Sequence, residues 1–307
     1  MLNYLLHLPQ VIQRKVLICN DLMKLRFYKY QGAGNDFLIA DNRDGSTVLS
    51  PEQIASLCDR RYGIGADGLM LLENCDGYDF RMVYYNSDGS GGMMCGNGGR
   101  CIVAFAADRG IGSFRFIAAD GPHYAEIISD DGVEKTVRLQ MKDVTVCHHY
   151  EGLSGVTVPS DGYFLDTGTR HFVRVVESVE DYDIVSEGRE IRYKAAELQP
   201  VGANVNFVEP ADGFIKVRTY EKGVEDETFA CGTGIVASCI AAYKSGIRPS
   251  EIIGQQLRYD VAAKRDRLSV CFKPSSSSEG VAESVWLTGP ARYIAEIEVS
   301  LVNLYYI

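Results

Sequence analysis

The chain has 307 residues, longer than the ~100 to 200 of a usual single domain, so two domains are expected. Hydrophobic residues make up 46% of it, enough for a sizeable core, while a formal charge of −10 would repel nucleic-acid phosphates and anionic lipid and sets both aside as partners. Its nine cysteines, at 19, 58, 75, 95, 101, 147, 231, 239 and 271, are odd in number and scattered, which suits a reducing cytoplasm better than a disulfide framework.

In chain order, residues 1–22 are moderately apolar, but they lack a basic leading region, and His7, Pro9, Gln10, Arg14 and Lys15 interrupt any signal-peptide core. No run reaches the ~20 apolar residues of a membrane span, so a soluble cytoplasmic protein is expected. Met23-Lys24, just before a clear strand, looks like a natural start, with 1–22 an N-terminal extension. Short apolar or alternating runs then predict strands at LRFYKY, FLIAD, GLMLLE, DFRMVYYN, SFRFIAA, TVRLQMKDV, YFLDTG, HFVRVV, VNFVE, FIKVRTYE, LRYDVAA, RLSVCF, SVWLTG and YIAEIEV. Only Pro51 to Asp59, Gly96 to Arg109 and Gly232 to Ser245 read as helix. Many strands with few helices make an α+β pattern rather than a repeated βαβ one. The serine run after Pro274 reads as a solvated loop.

A weak internal repeat adds to this. The second and third helices share a Cys-Gly-x-Gly start, at Cys95 and Cys231, a small-residue first turn and an apolar continuation. Asn35 precedes Cys95 by the same 60 residues (95 − 35) that separate His171 from Cys231 (231 − 171). Two similar halves follow, each a curved sheet round one central helix, with their cysteine ends able to face each other. A cysteine just before a helix sits where unpaired N–H groups and the positive end of the macrodipole converge. That predicts a thiol lowered toward neutrality and a thiolate base. The same N–H groups can hold a carboxylate. Two facing ends could invert a stereocentre, one thiolate removing an α-proton and the other thiol protonating the opposite face. The remaining cysteines read as small buried packing residues, Cys101 and Cys239 inside the helices.

The segments Tyr30 to Phe37, Arg61 to Gly68, Asn86 to Ser90, Met94 to Cys101, Asn204 to Phe207 and Tyr220 to Gly234 together resemble diaminopimelate epimerase, in that family's order and over about residues 26 to 298. The resemblance implies a pseudo-symmetric pair of α+β domains, each a curved, mostly antiparallel sheet wrapped round a central helix. The halves would be 23–144, completed by 291–307, and 145–290, with the active site in the cleft between. It also implies interconversion of L,L- and meso-diaminopimelate on the way to lysine and peptidoglycan, with no pyridoxal phosphate and no metal, and it favours a homodimer. By position, Cys95 and Cys231 match the two-base pair. Asn35, Asn86 and Asn204 match side chains that hold the non-reacting end. Gly96, Asn97, Gly232 and Thr233 match helix-terminal contacts to the reacting carboxylate, Glu221 matches an ammonium contact, and His171 matches a histidine beside the reacting centre.

The chain departs from the family pattern in three places. Lys222 stands in place of the usual Arg and loses its bidentate fork. Thr169-Arg170 replaces an Asn-Pro or Ser-Pro; Thr169 keeps a hydroxyl, and Arg170 could supply the guanidinium that Lys222 lacks. Gly68 stands where some members carry Gln.

Gly63 to Gly68 is a literal GxGxxG, but a helix precedes it and a strand follows, the reverse of a dinucleotide fingerprint. Cys147-His148-His149 lacks a second pair at zinc spacing and reads as a polar loop. The rival readings are a proline or hydroxyproline racemase-like enzyme, whose substrates have a single amino-acid end that leaves the Asn35, Asn86, Asn204 and Glu221 set without purpose, a thiol redox protein, disfavoured by the absence of CxxC, and a catalytically dead binding homologue, disfavoured because both cysteines remain.

Overall fold

The computed structural model describes residues 22–92, 94–277 and 280–302; the leader and Cys19 lie outside them. The first half of the chain runs β1 (Leu22–Gly32), β2 (Asn35–Asp41), α1 (Pro51–Cys58), β3 (Gly68–Glu73), β4 (Phe80–Asn86), α2 (Gly96–Asp108), β5 (Arg115–Ala118), β6 (Gly121–Asp130) and β7 (Glu134–Gln140). After β8 (Val146–Tyr150) come β9 (Gly162–Asp166), β10 (Arg170–Val175), α3 (Ile184–Lys194), β11 (Asn204–Ala211), β12 (Phe214–Glu221), β13 (Asp226–Thr228), α4 (Gly232–Lys244), β14 (Glu251–Ile253), β15 (Gln256–Ala262), β16 (Arg267–Pro274) and β17 (Ala282–Val302).

The strand pairings repeat. β1 and β2 are antiparallel, β2 and β3 parallel, β3 and β4 antiparallel, β4 and β5 parallel, and β5 to β7 antiparallel. The same alternation recurs through β9, β10, β11, β12, β15, β16 and β17. α1 and α3 occupy one equivalent connection, and α2 and α4 the other. The α+β expectation with two pseudo-symmetric, mostly antiparallel halves is therefore met.

Each half covers its sheet on both faces. α2 buries Cys101 to Ala106 against Tyr30, Phe37, Met70, Phe80 and Leu139, while α1 packs Ile54 and Leu57 on the other face against Phe27, Leu38 and Leu69. In the second half α4 sits among Val173, Val217, Tyr259 and Phe272, and α3 lies across the sheet with Phe172, Phe207 and Tyr220. Strands covered on both sides read as continuous apolar runs, as FLIA and LMLL do.

Local chemistry sets the ends of these elements. α1 starts with a capping box, in which Gln53 N donates to Ser50 Oγ at 3.2 Å and Ser50 N donates to Gln53 Oε1 at 2.8 Å. Ala33 and Gly34, both at positive φ (51° and 91°), make the tight turn between β1 and β2.

Three sequence expectations need correction. α3 was not expected: its polar sequence offers few apolar positions, and Gly188 interrupts it because a Cβ there would lie 2.4 Å from Tyr220 Cβ. Cys147-His148-His149 is strand rather than loop, paired with β9 through Cys147↔Leu165 and His148↔Phe164. SVWLTG and YIAEIEV are a single strand of 21 residues. β17 pairs with β16 up to Thr288 and with β1 from Arg292, so the missing N–H of Pro290 falls between the two ladders.

Cys58, Cys101 and Cys239 are buried as expected, whereas Cys75, Cys147 and Cys271 are half-buried. Among the described residues no helix is long and apolar enough to cross a membrane.

Candidate active site

Cys95 and Cys231 are the N-cap residues of α2 and α4, both with extended backbone. The two helix ends abut. A Cβ on Gly96 would lie 3.7 Å from Gly232 Cα, a Cβ on Gly232 would lie 3.5 Å from Gly96 Cα, and Leu287 Cδ2 walls both at 3.2 and 3.1 Å. Glycine at both positions is what permits this approach. Two positive helix ends pointed at each other repel, and the arrangement is relieved by an anion held between them.

In the first half, Gly98 N donates to Cys95 Sγ at 3.2 Å. Asn35 opens β2, donating to Asp67 Oδ2 at 3.0 Å and accepting from Asn97 Nδ2 at 2.6 Å. Asn97 also donates to Ala230 O at 3.0 Å, next to Cys231, and accepts from Arg100 Nη2 at 2.8 Å. The Asn97 side chain is therefore a strut between the two halves, which leaves its backbone N–H as the group available to a ligand. Asn86 ends β4 opposite Gly68 and donates to Ser90 Oγ at 3.0 Å.

In the second half a continuous polar chain forms. His171 Nδ1 lies 2.9 Å from Asn206 Oδ1, and its Nε2 lies 3.0 Å from Thr233 Oγ1 and 2.9 Å from Thr169 Oγ1. Thr233 Oγ1 in turn lies 3.4 Å from Cys231 Sγ. Asn204 donates to Arg170 O at 3.1 Å and accepts from Lys222 N at 2.8 Å. Glu221 accepts from Thr228 Oγ1 at 2.8 Å. The Lys222 side chain is exposed and forms no ion pair among the described residues.

Burial governs the electrostatics here. It holds His171 down to about 4, so the ring is neutral, and with Asn206 Nδ2 committed to Thr219 Oγ1 at 2.7 Å the Nδ1 proton goes to Asn206 Oδ1. The expectation of thiols near neutrality is overturned: burial pushes Cys231 up to about 12 and raises Cys95 as well, and the charge of Glu221 adds to both. The Gly98 N–H and the Arg100 guanidinium pull Cys95 the other way without prevailing. The helix-end field is present, but desolvation of a thiolate in a closed site outweighs it. Arg170 does not compensate for Lys222, since its guanidinium donates to Leu198 O at 3.1 Å and stacks over Phe164.

The structure thus brings Cys95, Cys231, Gly96, Gly232, Asn35 and Asn97 together at the helix ends, with Thr169, His171, Asn204 and Thr233 joined to them by hydrogen bonds. Sequence reasoning passed over Asn206 and Arg100. Asn206 lies two residues beyond Asn204, on the same face of β11, and that spacing was the available signal. Arg100 is fully buried and donates only to carbonyl and amide oxygens, at Pro290, Gly96 and Asn97. A groove of about 670 Å³ lies elsewhere, on Phe214, Arg265, Arg267 and Pro290, and no expected site residue lines it.

The sequence pattern of diaminopimelate epimerase matches residues 27–152 and 163–255, with Cys95 in the first span and Cys231 in the second. The chain belongs to the diaminopimelate epimerase family. It is 41% identical over 282 residues to the diaminopimelate epimerase of Flavobacterium psychrophilum, covering 90% of this chain and all of that protein. It is 39% identical over 275 residues to that of Chlorobaculum tepidum, covering 88% and 99%. Among solved structures it resembles a phenazine biosynthesis protein of the PhzF family from Bacillus anthracis, with a TM-score of 0.68 at 14% identity over 91% of this chain and 100% of that one. A probable proline racemase from Agrobacterium radiobacter gives 0.62 at 16% over 92% and 94%; at such identities these likenesses bear on the fold alone.

Proposed function

We propose that this protein interconverts L,L- and meso-diaminopimelate by moving the α-proton between Cys95 and Cys231, without pyridoxal phosphate or metal. The observation that carries the reading is the pair of cysteine N-caps set head to head in a chain of this family. The substrate carboxylate would sit on the N–H groups of Gly96, Asn97, Gly232 and Thr233, where two macrodipoles stabilise the charge that gathers as the α-proton leaves. Glu221 would take the ammonium beside the reacting carbon, and Asn35, Asn86, Asn204 and the backbone of Lys222 would hold the other end.

Donor geometry favours Cys95 as the base, because the Gly98 N–H points at its sulfur. If Thr233 gives its hydroxyl proton to neutral His171, its oxygen is left to accept from Cys231 S–H, which suits Cys231 as the acid. The C–H electron pair passes into the carboxylate as an enediolate while Cys95 takes the proton. The Cys231 proton is then delivered to the opposite face of the carbon, and the thiols end with exchanged protonation. Because both thiols are pushed up in the closed site, substrate must promote the thiolate, its ammonium offsetting the charge of Glu221.

The division into halves at 144/145, with 291–307 completing the first, belongs to this proposal, as do a cytoplasmic location and a homodimer. A solution mass of one chain would refute the dimer.

The test is NMR of the protein with L,L-diaminopimelate in D2O, with chelator present and pyridoxal phosphate omitted, beside Cys95→Ala and Cys231→Ala. Deuterium should enter one α-position as the meso isomer forms, and both variants should lose this by at least about a thousandfold. Meso isomer that still forms at the wild-type rate in either variant would sink the two-thiol mechanism.

A further inference from the structure

The repeated topology sets matching positions of the two halves side by side. β3 begins at Gly68, paired across to Asn86 at the end of β4; β11 begins at Asn204, one step before the Val205↔Tyr220 pair and so beside Glu221 at the end of β12. Three of these four positions carry polar side chains belonging to the expected site. Gly68 carries none.

The space at Gly68 is nonetheless filled. A Cβ there would lie 2.5 Å from Tyr84 Cε2 and 2.9 Å from its Oη, and a Cβ on Gly92 would lie 2.3 and 2.4 Å from Cδ1 and Cε1 of the same ring. The phenol therefore lies across two glycines, and both must be glycine for it to do so. Tyr84 shares a face of β4 with Asn86, whose Oδ1 is also close to Gly92, at 3.3 Å from a Cβ built there. Phe37 packs edge-on against the ring at a centroid distance of 6.1 Å.

The Tyr84 ring is half-buried, and its hydroxyl has no hydrogen-bond partner among the described residues, although a buried phenol ordinarily finds one. Nor is that oxygen sealed within the core. Burial raises the phenol well above its usual range, so it stays a proton donor at any working pH, and Cys95 and Asp67 add to the rise. Asp67 is itself paired with Arg60 at 2.6 Å, so its charge is already balanced within the protein.

We infer that Tyr84 is a substrate-contact residue: its hydroxyl takes the place of the missing side chain at position 68 and donates to the carboxylate at the non-reacting end of the substrate. This rests on the function proposed above.

The test is Tyr84→Phe, which keeps the ring, its packing and the two glycine contacts and removes only the oxygen. Steady-state kinetics on L,L-diaminopimelate should show KM raised about tenfold with kcat within about twofold, the pattern of a contact made equally in ground and transition states. Thermal unfolding should be unchanged. Wild-type turnover together with an unaltered KM in Tyr84→Phe overturns the assignment and leaves the function standing, as does a fall in kcat at constant KM. A wild-type protein that does not turn over diaminopimelate removes both.

Discussion

His171 is the side chain whose environment makes the most definite statement about pH. Its ring is fully buried and neutral, held between Asn206 and two threonine hydroxyls, with its pKa lowered from 6.5 to about 4. A base depressed in the folded state contributes stability that is fully present above its unfolded pKa and is lost as pH falls through 6.5 toward 4. The fall from 6.5 to about 4 corresponds to roughly 3 kcal/mol. Denaturant unfolding should show stability falling over that window in the wild type, and His171→Gln should flatten the fall. An equally steep acid decline in the variant would mean that other groups carry it. The sequence exposed His171 through its spacing from Cys231, but not its protonation state. That state comes from Asn206, on β11, and from closure of the sheet over the ring.

At the scale of the elements, the abutting ends of α2 and α4 separate activity from stability. Alanine at position 96 suits a helix better than glycine, and its Cβ methyl would meet only the end of the Leu287 side chain, at 3.2 Å, so Gly96→Ala should keep or slightly raise the melting temperature. The same methyl would intrude between the two helix termini, and kcat/KM should fall at least about tenfold. Unimpaired activity would show that nothing need enter between those ends. Among the described residues, two of the four α-helices announce themselves by their Cys-Gly-x-Gly starts and α1 by its Ser50-Pro51 cap, while α3 was hidden by its polar sequence and Gly188. The internal repeat would have disclosed it, since α1 already occupies the matching connection between β2 and β3.

Over the whole molecule, the site is formed by two halves that β17 ties together, crossing from β16 to β7 and β1. Cys231, Asn97 and Asn204 are nearly inaccessible, so the proposed function requires that the halves part to admit substrate and then exclude water around the reacting carbon. The same juxtaposition predicts that peroxide will join Cys95 to Cys231 and abolish activity, with thiol reductant restoring it. Peptide mapping that finds no such bridge, or inactivation that reductant does not reverse, would contradict this. The sequence by itself determined the α+β class and the two central helices with a cysteine at the start of each, because helix caps, glycine spacing and apolar periodicity are local properties of the chain; the candidate polar set was implied by the family resemblance. Only the tertiary structure decided how those groups behave. Thiol acidity, the neutrality of His171, the use of Asn97 as a strut and the lie of Tyr84 over Gly68 all depend on desolvation and contact between segments far apart in the chain. Both depend on how the halves pack, which no local pattern in the sequence records.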